Sequence, residues 1–172
     1  MKPLLAGLLL TGTAFAQAQD NVAKAVSGPG TYAFLGLGFA REAIHGGDRF
    51  WRTADTMASS LILAEGLKFL VHAPRPDGSG NDSFPSGHAT LAFAMAAAQS
   101  RLHPREAPLW FGGASWISYS RIQLRKHNLG DVLAGAGLGF AIGQLEFSLP
   151  HGLLFQAQIG HGRAGFSFRG RF

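Results

Sequence analysis

Residues 85–102 read PSGHATLAFAMAAAQSRL, and this stretch decides the predicted fold. Ser86 suits the start of a helix, because its side-chain oxygen can accept a hydrogen bond from a free backbone N–H. The run that follows predicts a helix as far as Leu102. Its apolar part, residues 89–98, has only ten residues, whereas a membrane-spanning helix needs about 20. The stretch therefore predicts a helix of a folded domain rather than a membrane span.

Further helices are predicted on both sides of this stretch, because apolar residues recur there at helical spacing. The predicted ranges are residues 31–43, 52–72, 86–102, 108–122 and 131–145. In the last of them Gly135, Gly139 and Gly143 recur at every fourth residue and share one side of the helix. This ridge of glycines predicts that another helix packs closely against it.

Proline and glycine mark the predicted breaks between helices. Pro74 and Pro76 end the second helix, since proline has no backbone N–H and fits poorly inside a helix. Residues 27–30, Ser-Gly-Pro-Gly, are predicted to interrupt the uncharged stretch at residues 25–40. With no apolar stretch long enough to span, the sequence predicts a soluble or surface-associated domain, with a set of short tilted spans as the alternative.

The two ends of the chain differ from this helical middle. Residues 1–18 combine Lys2, an apolar run and small residues at 14, 16 and 18, a pattern typical of a cleaved secretory signal peptide. An uncleaved anchor helix is the alternative. Residues 19–148 then form the helical domain, and residues 149–172 alternate apolar with other residues around a glycine turn, which predicts a β-hairpin. The predicted fold class is all-α with a short C-terminal β-hairpin.

Composition narrows the classes of function. The formal charge is +5, but no run of five basic residues occurs, so nucleic acid is the weakest of the anionic partners. The absence of cysteine excludes disulfides, thiolate catalysis and cysteine-ligated zinc. The 24 glycines accompany 14 phenylalanines, which indicates a packed chain rather than a disordered one. An anionic small molecule or an anionic membrane surface remains as the favoured partner.

Three clusters of polar residues carry the candidate chemistry, although each alone is ordinary for a helix end or a loop. They are Lys68 with Arg75; Ser86, Gly87 and His88; and Ser120, Arg121, His127 and Asp131. The first and third together supply three fixed positive charges, which stabilise the charge that spreads over a phosphoryl group during its transfer. The second places free backbone N–H groups at a helix start, where anions bind. One of the two histidines could attack the phosphorus, and the other could give a proton to the leaving group. Asp131 could hold one of these histidines in its correct tautomer.

The pattern Lys68-x6-Arg75-Pro76, Pro85-Ser86-Gly87-His88 and Ser120-Arg121-x5-His127-x3-Asp131 resembles the three-part signature of the type 2 phosphatidic acid phosphatases. That superfamily also includes bacterial class A acid phosphatases and vanadium haloperoxidases. The resemblance covers about residues 68–143. This sequence differs from the family pattern in one respect, because only eight residues link Pro76 to Pro85. The short link leaves less room for a substrate-specific insertion.

The resemblance implies a helical bundle and metal-free phosphate hydrolysis with no cofactor. His127 would be the nucleophile, His88 the general acid and then the base, and Asp131 would orient His127. The phosphate would be held by Lys68, Arg75, Ser86, Gly87, Ser120 and Arg121. The five remaining histidines have no such context and are interpreted as surface or core residues.

The leading hypothesis is an exported, periplasmic or envelope-associated phosphatase acting on phosphate esters, with lipid phosphates or diphosphates as the favoured class. A broad-specificity periplasmic acid phosphatase and a vanadium-dependent haloperoxidase are the alternatives. A β-rich outer-membrane or binding protein is disfavoured, because two strands cannot close a barrel of at least eight. Contact with a membrane surface is an expectation, nucleic acid is not a predicted partner, and the sequence leaves the oligomeric state open.

Overall fold

The computed structural model describes residues 15–150, 152–160 and 163–168, and for the two strands only the backbone. Five long helices follow a short one, α1, which covers residues 15–25. They are α2 (Thr31–His45), α3 (Asp48–Val71), α4 (Gly87–Leu102), α5 (Ala107–Gln123) and α6 (Leu129–Ser148), and a 3₁₀ turn, Pro104–Glu106, precedes α5. Two short strands, β1 (Phe155–Gly160) and β2 (Arg163–Phe168), end the described chain. The predicted all-α class with a C-terminal hairpin is confirmed.

The helix predicted from residues 85–102 is the centre of the bundle. α4 packs against α2, α3, α5 and α6, and most of its alanines are fully buried. Ser86 lies just before it in extended conformation, and its side chain accepts a hydrogen bond from the Ala89 N–H, as predicted. Because the side chains of α4 are small, four helices can pack against α4 at once. Ends of these helices therefore meet near the start of α4.

The glycine ridge of α6 packs directly on α4. A Cβ atom added at Gly139 would lie 2.0 Å from the carbonyl oxygen of Thr90, and one at Gly135 would lie 2.5 Å from that of Ser86. The predicted close packing is therefore confirmed. This packing also brings together the starts of α4 and α6, where the Ser86 N–H donates to the Asp131 carbonyl at 2.9 Å.

The predicted break at residues 27–30 is wrong. Val26–Gly30 forms a π-helical turn, and the chain stays helical from α1 through this turn into α2. The helix continues past Pro29 because the wider turn accommodates a residue without an N–H, and because the Thr31 hydroxyl donates to the carbonyls of Val26 and Ser27 at 3.1 Å each. Tertiary packing buries Ser27, which further holds the turn.

Most predicted helix boundaries agree with the structure to within a few residues. The exceptions have local causes. α6 begins at Leu129, two residues before the prediction, because Asn128 caps it and Asp131 closes a capping box from the third position. α3 begins at Asp48 rather than residue 52, directly after two glycines with positive φ at residues 46 and 47.

The chain ends are described only in part. Residues 1–14, which include most of the predicted signal peptide, lie outside the described residues, and residues 15–18 are helical in α1. The predicted hairpin is confirmed for residues 155–160 and 163–168, which pair antiparallel with Phe155 opposite Phe168. Just before it, the N–H groups of Leu153 and Leu154 donate to the buried Asp55 carboxylate, which attaches the segment to α3. None of the helices in the described ranges has the length and hydropathy to cross a membrane.

Candidate active site

The three predicted clusters meet at one end of the bundle. The end of α3, the loop after it, the start of α4, the end of α5 and the start of α6 all contribute to this end. Lys68 Nζ lies 3.1 Å from the position that a Cβ of Gly87 would take. Arg121, His127 and Lys68 all act electrostatically on His88. The absence of a side chain at Gly87 therefore lets a cation of α3 approach the start of α4.

His127 lies between α5 and α6 and is only 3% exposed. Its Nδ1 atom is 2.8 Å from the backbone carbonyl oxygen of Ser83. A carbonyl can only accept a hydrogen bond, so Nδ1 carries the proton and Nε2 carries a lone pair. Burial, together with the nearby charges of Arg121 and Arg75, lowers the pKa of His127 to about 4, against the opposing effects of the Ser83 carbonyl and the Asp131 charge. The ring is therefore neutral near pH 7 and has one nitrogen suited to nucleophilic attack.

Asp131 acts on His127 directly through its charge, and it is joined to His127 by hydrogen bonds through another residue. Its Oδ2 atom accepts hydrogen bonds from the Ser83 hydroxyl at 2.6 Å and from the Asn128 N–H at 2.8 Å. The expected orienting contact thus runs from the carboxylate to Ser83, whose carbonyl holds the histidine. Sequence reasoning missed Ser83, because a single serine in a polar loop has no spacing that distinguishes it from its neighbours.

His88 lies in the first turn of α4. Burial, together with the nearby Arg121 and His127, lowers its pKa to about 4, while the backbone of Ser27 acts in the opposite direction. The ring is therefore neutral in the free chain near pH 7. Ser27 belongs to the π-helical turn and is a second residue that the sequence did not indicate.

The three predicted cations have different partners. Arg75 forms a two-point ion pair with Asp82, Nε and Nη2 each lying 2.7 Å from a carboxylate oxygen. Lys68 Nζ lies 2.6 Å from Glu65 Oε1. Arg121 is 9% exposed and forms no salt bridge within the part of the chain that the structure describes.

Arg121 is the most buried of these cations. Its Nη1 donates to the Ser27 hydroxyl, and its Nε is buried with no hydrogen-bond partner among the described residues. Burial, together with the neighbouring positive charge of Arg75, lowers the pKa of Arg121. A guanidinium remains charged even so. This site therefore has a buried cation with an unpaired donor, and an anion would satisfy both needs.

The two remaining predicted serines are bonded within their own helices. Ser86 Oγ caps α4, and the buried Ser120 hydroxyl donates to the Ile117 carbonyl at 2.6 Å. Their direct contact with a phosphate stays a prediction. Among the described residues, no group of three or more His, Cys, Asp or Glu side chains is arranged to hold a metal ion.

A sequence profile of the PAP2 superfamily matches residues 50–153. The chain belongs to the PAP2 superfamily. All nine predicted site residues fall inside the matched range, whereas Ser27 falls outside it. The PAP2 region thus begins within α3 and ends just before the hairpin.

Two curated relatives and one solved structure extend the comparison. The chain is 29% identical over 147 residues to a lipid A 1-phosphatase of Porphyromonas gingivalis, covering 83% of this chain and 33% of the relative. It is 32% identical over 99 residues to a lipid A 1-phosphatase of Rhizobium johnstonii, covering 49% of this chain and 41% of the relative. The chain therefore spans less than half the length of these relatives.

The crystal structure of Aquifex aeolicus LpxE resembles this PAP2 chain with a TM-score of 0.60 and 23% identity. The match covers 87% of this chain and 88% of the other. It shows that the two share a fold.

Proposed function

We propose that the chain is a metal-independent phosphatase that hydrolyses phosphate monoesters through a phosphohistidine at His127. The hydrogen bond from His127 Nδ1 to the Ser83 carbonyl carries this proposal, because it leaves Nε2 unprotonated on a buried, neutral ring. Arg121 supports it, since its buried and unpaired Nε suits a phosphoryl oxygen. Membership of the PAP2 superfamily and the names of the curated relatives agree with a phosphatase.

The reaction has two steps, and His88 acts as an acid in the first and as a base in the second. His127 Nε2 attacks phosphorus, the ester P–O bond breaks, and protonated His88 gives its proton to the leaving oxygen. Neutral His88 then takes a proton from water, which attacks the phosphohistidine and breaks the P–N bond. Phosphate leaves, and both histidines return to their starting states. Arg121, with Lys68 and Arg75, stabilises the charge on the transferring group in both steps.

The favoured substrate is an amphiphilic monophosphate of the lipid A class. The residues just after Lys68, namely Phe69, Leu70 and Val71, are exposed at the end of α3. Leu129 and Leu133 are exposed in the first turns of α6, directly after His127 in the chain. Exposed apolar side chains on two helices that contribute to a cationic site suit a phosphate that is attached to acyl chains. The similarity to lipid A 1-phosphatases supports the same substrate class.

Activity measurements on the purified protein test the reaction. Hydrolysis of p-nitrophenyl phosphate is expected to persist in EDTA and to be inhibited by vanadate, which resembles the five-coordinate transition state. A phosphate label on the protein, trapped by rapid quenching, is expected in the wild type and absent in His127→Ala. Activity that disappears on chelation and returns with a divalent ion would contradict the metal-free reaction.

Substrate class is tested by comparing kcat/KM on lipid A in detergent, a short-chain phosphate and a sugar phosphate. Leu70→Ser is expected to lower kcat/KM for the lipid alone, because binding energy from the acyl chains contributes to the transition state. Leu109→Ser is the matched control, since Leu109 is 77% exposed against 75% for Leu70 but lies twelve residues before Arg121 on α5. Equal kcat/KM on all three substrates would indicate a broad-specificity phosphatase instead.

We expect the protein to be exported from the cytoplasm. The charged, apolar and small-residue pattern of residues 1–18 indicates a signal peptide. The mature chain is expected to begin near residue 17 or 19. Mass spectrometry of the protein recovered from the cell envelope measures this directly, and recovery of an intact Met1 would count against cleavage.

A further inference from the structure

The turn between α1 and α2 contains a serine that the three-part pattern does not include. Ser27 lies in the π-helical turn Val26–Gly30 and is only 4% exposed. π-helical turns within longer helices are rare and are frequent at functional sites. The turn lies well before residue 50, where the PAP2 match begins.

Ser27 contacts one residue from each of two signature clusters. Its hydroxyl accepts a hydrogen bond from Nη1 of Arg121, which is 94 residues further along the chain. Its backbone carbonyl lies near the His88 ring and acts to raise the pKa of that ring against the lowering by burial. The Thr31 hydroxyl donates to the same carbonyl at 3.1 Å, and this contact helps to fix the carbonyl in place.

We propose that Ser27 is a positioning residue of the active site, which holds the Arg121 guanidinium in the arrangement that the phosphoryl group requires. The inference rests on the proposed function. Nη1 is anchored on a buried hydroxyl, so the planar guanidinium is fixed about its long axis and its other donors are fixed with it. Donors that are already oriented stabilise the transition state without first having to reorganise.

A series of substitutions at residue 27 separates this role from a purely structural one. Ser27→Ala removes the acceptor for Arg121 and is expected to lower kcat/KM on p-nitrophenyl phosphate about tenfold or more, the usual effect of losing a hydrogen bond to a charged group. Vanadate affinity, measured by calorimetry, is expected to fall by a similar factor, and phosphate affinity by less, because oriented donors matter most in the transition state.

The rank order within the series is the decisive observation. Ser27→Thr keeps a hydroxyl and is expected to retain most activity, while Ser27→Cys, with a weaker acceptor, is expected to fall between Thr and Ala. Ser118→Ala is the matched control, because Ser118 is buried and its hydroxyl has no partner among the described residues. It is expected to leave kcat/KM unchanged.

Two outcomes would overturn the inference. One is wild-type kcat/KM and vanadate affinity in Ser27→Ala. The other is a loss that follows the thermal unfolding temperature through the series rather than the presence of an acceptor at residue 27. A wild-type protein that binds vanadate but hydrolyses no ester would refute the proposed function alone, and the vanadate series would still decide the role of Ser27. A wild-type protein that does not bind vanadate would refute both.

Discussion

The connection from Asp131 to His127 through Ser83 makes a prediction that a double-mutant cycle can test. Asp131 Oδ2 accepts from the Ser83 hydroxyl at 2.6 Å, and the Ser83 carbonyl accepts from His127 Nδ1 at 2.8 Å. Ser83→Ala removes the first bond. Asp131→Ala removes the carboxylate that accepts this bond, together with the acceptor for the Asn128 N–H at the start of α6. If Asp131 acts on His127 only along this path, each substitution interrupts the same connection.

The expected size follows from the geometry of the first bond. A hydrogen bond to a buried carboxylate contributes about 1.5–3 kcal/mol. If this energy serves to orient the nucleophile, its loss slows turnover about 10-fold to 100-fold, since each 1.4 kcal/mol corresponds to about a factor of ten. Each single variant is therefore expected to lose kcat on p-nitrophenyl phosphate by this factor. The double variant is expected to lose little more than either single variant.

Thermal unfolding measurements on each variant show whether a loss of kcat comes only from a loss of stability. Ser60→Ala is a control for the cost of truncating a buried serine, because the Ser60 hydroxyl has no partner in the described part of the structure. Its kcat is expected to equal that of the wild type. If the losses in the double variant multiply, Asp131 acts on His127 independently of Ser83, and the proposed path is refuted.

His127→Ala is expected to leave the protein folded and to lower turnover by about 10⁴-fold or more, because no covalent intermediate forms; residual activity above that level would assign the nucleophile elsewhere. Gly139→Ala places a Cβ 2.0 Å from a carbonyl of α4 and is expected to lower the free energy of unfolding by about 2–3 kcal/mol, whereas the control Gly137→Ala has open space and is expected to be neutral or stabilising. The pKa values of His88 and His127 are lowered to about 4, so the unfolded chain binds more protons between pH 4 and 6.5 and stability is expected to rise with pH there. Burial and Asp55 raise the pKa of Glu146 to about 7, which opposes that trend between pH 4.5 and 7, so Glu146→Gln is expected to steepen the rise in a pH series of denaturant melts.

The sequence was sufficient to predict those parts of the site that depend on patterns within a single helix. Ser86 was predicted as a helix cap, and the glycine ridge was predicted to pack closely, because cap chemistry and four-residue spacing are visible within one helix. The cations and histidines were identified by their joint spacing, and the structure brings them to one end of the bundle.

The sequence could not indicate the residues that act through tertiary contacts. Ser83 is 44 residues from the histidine that it holds, and Ser27 is 94 residues from Arg121. Neither serine has a periodic pattern or a motif around it. The sequence around Ser27 also gave a wrong prediction. Pro29 and its flanking glycines predict a break in the helix, whereas the structure has a π-helical turn that continues it.

The partners of the three cations indicate how a substrate changes the site. Lys68 and Arg75 are each paired with a carboxylate at a half-exposed position, whereas Arg121 donates to a neutral hydroxyl. Arg121 has no salt bridge among the described residues, so its buried charge contributes strongly to the positive potential of the site. That potential adds to burial in lowering the pKa values of His88 and His127.

A phosphate monoester carries about two negative charges near neutral pH, so its binding next to Arg121 cancels much of this positive potential. In the proposed reaction the pKa of His88 then rises, and the ring can take up the proton that it later gives to the leaving oxygen. His127 is constrained differently, because its Nδ1 proton is held by the Ser83 carbonyl and its Nε2 is occupied by phosphorus once attack begins. Under the proposed reaction, substrate binding thus converts one of two similar neutral histidines into an acid and leaves the other as a nucleophile.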